Sequence, residues 1–296
     1  MFDRLIGNYL LEQGKLTNSQ LQNVYMVQGS KRAKLGVIAV SEKLMTIAQA
    51  EEINSLQAVE NKFFGEIAIE KGYLSQEQVE RLLKLQGNEF LIFLQSIVDL
   101  NYLKMEDLEL IIEEYRMKNG FPVSDIDALK NGEINRIIPI FVKTSDEKLL
   151  KMLEYGISEI FRLVDNHIYI GKAYTTTDFK SEELSYQKIY GDENATVAIF
   201  GKAEPLQKMA KSYTSEEFIE TNEDALDAVC EIINCINGIY VTEASRAGKI
   251  IDLEPPEFIT SYAEISGKEI YILPIYLPTG VINYAIILGS DVTIKQ

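Results

Sequence analysis

The sequence predicts two domains: an all-α helical-repeat domain over residues 1–117, then an α+β domain over residues 145–296 with long helices on an antiparallel sheet. Residues 118–144 read as a linker and edge strand between them. Three observations carry this. A 24-residue unit with a five-residue spacer recurs down to about position 115. Past position 145 that period is gone, and short apolar runs mix with helical stretches, the pattern of helices laid on antiparallel strands. With 296 residues and 46% apolar side chains, each half can bury its own core.

The repeat begins at Leu5-Ile-Gly7 and closes on Gln28; the next copies open at Lys34-Leu-Gly36 and Phe63-Phe-Gly65 and close on Gln57 and Gln86. A fourth, eroded copy runs from Ile92 to Tyr115 and keeps Leu108 and Ile112. The period is 29 residues. Each copy reads as a helix pair. The first helix ends near Gly14 or Gly72, suited to a left-handed C-terminal turn. Thr17 with Gln20, Thr46 with Gln49 and Ser75 with Gln78 then make capping boxes for the second. Its inward positions are Leu21, Val24 and Tyr25 in the first copy, and Val79, Leu82 and Leu83 in the third.

The spacing and the Leu-Gly…Gly…Leu…Gln pattern resemble the N-terminal domain of type II secretion and type IV pilus ATPases, the MshE or GspE N-terminal family, over about residues 1–115. In some members such motifs bind cyclic di-GMP against an Arg-Leu-Gly opening. The resemblance therefore implies a nucleotide surface at Gly7, Gly14, Lys34, Gly36, Gly65 and Gly72. The arginine position, however, holds Leu5, Lys34, Phe63 and Ile92, and Lys43 stands where the second copy's later glycine belongs. Without guanidinium groups to pair with phosphate, protein docking or a spacer role leads and cyclic di-GMP follows.

Between the halves, Lys118 to Asp125 carries turn residues, and Arg136 to Val142 is an apolar run whose Pro139 suits an edge strand. Beyond it, a helix from Ser145 to Phe161 takes Ser145 as N-cap. Strand-like segments follow at His167–Tyr174, Leu184–Ile189 and Thr196–Gly201. Pro205–Ser212 and the region around Glu216 read as helix. Strands return at Lys249–Leu253 and in a hairpin, Glu269–Leu277 with Val281–Leu288. The apolar window Ile270–Gly289 is long enough for a membrane span, but Pro274, Pro278, Gly280 and Asn283 break it, so no membrane is expected.

The stretch Asp224–Tyr240 is the centre of the second half. At about 100° per residue, Leu226, Val229, Ile233, Ile236 and Tyr240 make one apolar stripe of a helix, and Ala228, Ile232, Cys235 and Ile239 a second. What remains is a narrow polar strip of Asp227, Glu231, Asn234 and Gly238. By itself it reads either as the solvated edge of a core helix or as a surface that a partner meets.

Composition narrows the chemistry. The net charge is −16, and the densest basic stretch, Lys31 to Lys34, lies between repeats, so nucleic acid is not expected as a partner. His167 is the single histidine and opens a strand, which leaves no Ser-His-Asp or Cys-His arrangement. No zinc spacing and no glycine-rich phosphate loop occurs, and Asp224, Asp227 and Glu231 read as a solvated edge, so no metal is assigned to this chain. Cys230 and Cys235 point different ways along one helix, against a disulfide. The N-terminus lacks a signal-peptide pattern, and the expected location is the cytoplasm.

Glu231-Ile-Ile-Asn234-Cys-Ile-Asn-Gly238, in a C-terminal α+β domain, resembles the Glu-x-x-Asn-x-x-x-Gly helix of the CheX, CheC and FliY chemotaxis phosphatases, and is most similar to CheX, which carries one such helix. The likeness covers about residues 145–296 and includes Ile250-Ile-Asp-Leu-Glu-Pro-Pro256, where that family has a strand ending in proline; the departures are Asn237 and Ile239 to Val241. It implies hydrolysis of the aspartyl phosphate of a response-regulator receiver domain, with Mg²⁺ supplied by the receiver. Asn234 would position the attacking water, Glu231 would pair with the receiver's lysine, and Gly238, with Asp227 nearby, would let the partner approach. A non-enzymatic adaptor, or a homodimerisation module pairing through sheet edges, stands as the alternative.

Overall fold

The computed structural model describes residues 1–29, 32–57, 59–60, 62–215 and 219–295; Lys31 of the basic stretch and Glu216 of the expected helix lie outside the described residues. The chain divides into two compact units, Phe2–Asn131 and Gly132–Gln296.

The first unit is helical: α1 (Phe2–Glu12), α2 (Asn18–Gln28), α3 (Leu35–Ser41), α4 (Ile47–Gln57), α5 (Phe64–Glu70), α6 (Gln76–Lys84), α7 (Glu89–Asp99), α8 (Met105–Asn119) and α9 (Val123–Asn131). The 29-residue period is visible atom by atom. Thr17 Oγ1 accepts from Gln20 N at 3.2 Å while Gln20 Oε1 accepts from Thr17 N at 2.9 Å. Thr46 with Gln49 and Ser75 with Gln78 repeat the arrangement, each cap stabilising its helix by about 1 kcal/mol. In the fourth copy half the box survives, Lys104 N donating to Asp107 Oδ2 at 3.3 Å. The left-handed turn between paired helices recurs at Gly14 (φ 63°), Lys43 (φ 57°), Gly72 (φ 70°) and Asn101 (φ 57°).

The glutamine closing each of the first three copies holds the backbone entering another copy. Gln57 Nε2 donates to Lys62 O, Gln86 Nε2 to Ala33 O, and buried Gln28 Nε2 to Glu89 O and Asp3 Oδ2. The copies are therefore nested: the second closes on the third, and the first on the fourth. Phe2 against Phe90, Tyr9 against Tyr115 and Tyr25 against Phe93 join the outer pair. Leu21, Val24, Val79 and Leu82 are buried as expected, whereas Leu83 is exposed because its side chain lies beyond the α6 face that packs.

Residues 118–144 contain no strand, which corrects the linker-and-edge-strand expectation. Gly120 (φ 69°) ends α8, α9 completes the first unit, and α10 (Ile134–Phe141) opens the second. Ile137, Ile138 and Phe141 are buried at helical spacing. Pro139 lies within this eight-residue helix, where it brings no N–H to the backbone ladder.

The second unit continues with α11 (Glu147–Leu163), β1 (Tyr169–Ile170), β2 (Tyr174–Ser181), β3 (Glu183–Gly191), β4 (Ala195–Gly201), α12 (Ala203–Thr214), α13 (Asn222–Arg246), β5 (Ile251–Leu253), β6 (Glu257–Ile259), β7 (Ala263–Leu277), β8 (Gly280–Leu288) and β9 (Val292–Lys295). The cap of α11 is Asp146, one residue past the expected Ser145, its carboxylate accepting from Leu149 N at 3.0 Å. All strands pair antiparallel in the order β1-β7-β8-β4-β3-β5; β2 and β9 also pair with β7, and β6 with β3. The window Ile270–Gly289 folds as the arms of the β7–β8 hairpin. One sheet face is lined by Leu184, Phe200, Ile265, Ile270 and Ile287, with Phe179, Val292 and Ile294 packed on it. The helices cover the other face. There α11 approaches β8 so closely that a Cβ on Gly156 would lie 2.6 Å from the buried Tyr284 ring.

Candidate functional site

The helix expected over Asp224–Tyr240 is α13, 25 residues long, and it starts at a complete capping box of Thr221 and Asp224. Among the described residues it alone is long and apolar enough to cross a membrane, and its apolar side chains pack on α11, α12 and the sheet. Leu226, Val229, Ile233, Ile236 and Tyr240 are buried, as are Ala228 and Ile232. The second stripe is shorter than expected. Cys235 is exposed, its Sγ 3.8 Å from the Tyr213 hydroxyl of α12, and Ile239 is half-buried.

What α13 leaves uncovered is the polar strip. Asp227 and Glu231 are exposed, and Asn234 and Gly238 half-exposed. Glycine is not needed at 238 by the protein's own packing, because a Cβ there would meet nothing within 4 Å. Its φ is that of an ordinary helical residue, so the position forgoes about 0.5–1 kcal/mol of helix stability relative to alanine.

The strip is seated by β3 in a way the sequence conceals. β3 alternates polar and apolar residues, a pattern that ordinarily turns the polar side to water. Here both sides are buried. Leu184 and Tyr186 enter the far core, while Glu183, Ser185 and Gln187 face α12 and α13. Glu183 Oε1 accepts from Asn222 Nδ2 at 2.6 Å, and Ser185 Oγ donates to Leu226 O at 2.9 Å. Burial holds the Glu183 carboxyl above the usual carboxylate range, partly offset by the Asn222 hydrogen bond. Gln187 reaches Asn234 itself: its Nε2 donates to Asn234 Oδ1 at 2.8 Å and to Glu254 O at 2.9 Å, and its Oε1 accepts from Asn237 Nδ2 at 2.9 Å. Gln187 and Asn237 are each 1% exposed. The sequence-level strip therefore missed two members. Asn237 was visible only as a departure, and Gln187 sits 47 residues away in another element.

The other candidates fall elsewhere. His167 lies in the turn before β1, with Nδ1 2.9 Å from Asp165 Oδ1. Burial pushes the Cys230 thiol up to about 11, opposite to what a nucleophile needs. Among the described residues no group of three or more His, Cys, Asp and Glu could hold a metal ion. In the helical unit Gly7, Gly36 and Gly65 are buried at helix contacts, where an added Cβ would come within 2.2 Å of the Tyr25 hydroxyl, 3.1 Å of the Phe64 ring and 2.8 Å of Val79 Cγ1. Gly14 and Gly72 make exposed left-handed turns, and Lys34 Nζ is ion-paired with Asp99 at 2.9 Å. These glycines have structural tasks before any ligand is considered.

The α13 site offers a carboxylate and a carboxamide one turn apart and an open glycine one turn on, with no metal-ligand group among the described residues. Such a site can orient and pair with groups that another molecule brings.

Residues 185–275, from within β3 to within β7, match the family model Chemotaxis phosphatase CheX. Similar solved structures include the chemotaxis protein CheX from Desulfovibrio desulfuricans, 17% identical, covering 48% of this chain and 99% of that one at a TM-score of 0.42. The CheX–CheY–BeF₃–Mg²⁺ complex from Borrelia burgdorferi is 21% identical, covering 49% and 99% at 0.41. Thermotoga maritima FliY is 15% identical, covering 49% and 91% at 0.32. No curated protein matches the chain.

Proposed function

We propose that the second unit is a phosphatase acting on the aspartyl phosphate of a response-regulator receiver domain, with α13 as its working surface. The observation that carries this is the placement of Glu231 and Asn234 one turn apart on the uncovered strip, with Asn234 anchored from behind by buried amides. The match of residues 185–275 to the CheX family model supports it, since that span includes the strip and β3.

Acyl phosphate hydrolysis needs a water in line with the leaving carboxylate, and its catalysis is largely positioning and electrostatics. Asn234 would hold that water. Glu231 would pair with a receiver lysine and set the register of the two proteins. Gly238 would let receiver backbone lie close to the helix, with Asp227 at the rim of the contact. Mg²⁺, held by the receiver, would neutralise phosphoryl charge; this chain's residues bind and orient.

Incubation with a phosphorylated receiver, following phosphate release, tests this. Asn234→Ala is expected to slow release about 100-fold, or about 2.7 kcal/mol. Glu231→Lys should chiefly raise the receiver concentration needed. Wild-type rates in both variants would sink the proposal.

A second reading, a non-enzymatic adaptor, draws on the helical unit. Phe63, at the opening where the resemblance expects arginine, is 79% exposed, a feature suited to protein contact more than to phosphate. Calorimetry with cyclic di-GMP is expected to show no heat at high micromolar nucleotide. Homodimerisation through β2, which among the described residues pairs with β7 alone, is checked by the mass in solution.

A further inference from the structure

We infer that Gln187 is a positioning residue that fixes the orientation of the Asn234 carboxamide, so that Asn234 meets the reacting water through its NH₂ group, as a hydrogen-bond donor. This rests on the reading of Asn234 as the water-positioning group.

The orientation follows from connectivity. The two ends of an amide side chain look alike, and partners decide which is which. The decisive partner is a backbone carbonyl, which only accepts. Glu254 O lies 2.9 Å from one end of Gln187, so that end is Nε2. The same atom is 2.8 Å from Asn234, so the inner atom of Asn234 is Oδ1 and its NH₂ faces outward. Gln187 Oε1 is then free to accept from Asn237 Nδ2, and the two Nε2 protons are both used. With Gln187 and Asn237 each 1% exposed, water does not replace any of these partners.

The free carbonyl has its own cause. β3 pairs with β5 up to Ile189–Leu253 and with β6 from Tyr186–Glu257. Between them two β3 residues, 187 and 188, face three, 254 to 256. The extra residue makes a bulge, and Pro255 and Pro256 bring no N–H to the ladder. Glu254 N still donates to Lys188 O at 2.9 Å, while its carbonyl takes the Gln187 side chain instead of a strand partner. The Glu-Pro-Pro segment is thus the fixed reference against which the carboxamide is set.

Three measurements test this. In the wild-type protein, side-chain amide ¹H–¹⁵N resonances are assigned with Asn234→Ala and Asn237→Ser. The Gln187 and Asn237 NH₂ protons should exchange slowly with solvent and those of Asn234 quickly; a slowly exchanging Asn234 NH₂ overturns the inference whatever the enzymatic activity. Phosphate release from a phosphorylated receiver is then followed. Asn234→Asp keeps an oxygen for Gln187 and presents an acceptor outward, and should lose as much rate as Asn234→Ala. Retention of the wild-type rate by Asn234→Asp overturns the donor role. Gln187→Met, at nearly equal volume, should lower kcat at least tenfold with KM for the receiver within about twofold. An unchanged kcat in folded Gln187→Met overturns the positioning role. A wild-type protein without phosphatase activity would remove the proposed function, while the exchange measurement would still decide the orientation.

Discussion

The packed helical glycines, found in both units, differ from Gly238 of α13 in a way that separates folding from contact with another molecule. In the helical unit, Gly65 sits where a Cβ would press on Val79, and Gly36 where it would meet the Phe64 ring. In α13, Gly238 faces open space. The first kind is required by the chain's own packing. The second is a helix position where alanine would fit and stabilise, so its use is to be sought outside the chain. The polar residues divide likewise. In the repeats, Thr, Ser and Gln recur at fixed offsets and serve backbone groups. In the second unit, Gln187, Asn234 and Asn237 recur nowhere and form one network closed on the Glu254 carbonyl, with Asn234 reaching solvent.

This contrast can be broken by substitution. The largest effect should come from Gly156→Ala, which drives a methyl into the buried Tyr284 ring 2.6 Å away. A loss of about 2–3 kcal/mol is expected from overpacking, read as a lower urea midpoint. Gly65→Ala should cost about 1–2 kcal/mol by the same cause, because Val79 is stiff at χ1. Gly238→Ala should do the reverse, raising stability by about 0.5–1 kcal/mol while weakening capture of a phosphorylated receiver. Equal destabilisation at positions 65 and 238 would erase the distinction.

Lys43 sharpens the comparison from the other side, being a non-glycine residue at a left-handed turn that Gly14 and Gly72 fill elsewhere in the repeat. Lys43→Gly should stabilise the helical unit by about 0.5–1 kcal/mol, the relieved strain exceeding the added chain entropy. The smallest effect is chemical. A maleimide should label one thiol in the folded protein, the exposed Cys235, and a second only after denaturation, since Cys230 is buried and its thiol is held at about 11. The Cys235 adduct, beside Asn234, should also obstruct the proposed docking face.

Much of this architecture was legible in the residues, and the illegible parts share a physical reason. The helix pairs were readable because caps act within three residues, so Thr17–Gln20 and Ser75–Gln78 carry their information locally. The α13 strip was readable because helical spacing alone brings Glu231, Asn234 and Gly238 into line. Pro139 misled because it reads as a strand or linker signal, while Ile137, Ile138 and Phe141 show helical burial only once packed. β6 and β9, at three and four residues, are too short to show a period. Gln187 was hidden for a different reason. Its polar alternation with Glu183 and Ser185 looks like a wet strand face, and only the arrival of α13 makes that face an interior one.

The nesting of the repeats has a consequence for how the helical unit can be cut. In an open stack of repeats, an end copy can be deleted and the remainder keeps its neighbours. Here the first copy closes on the fourth, through Gln28 with the Glu89 carbonyl and Asn23 with the Tyr102 hydroxyl. Trimming after Gly87 would therefore strip the covering from Phe2 and Tyr25 at the opposite end of the unit, and would take Asp99 away from Lys34 of the second copy. Closure of the outer pair spans most of the helical unit and carries the larger loop entropy, so the inner pair is placed to form before the first and fourth copies meet.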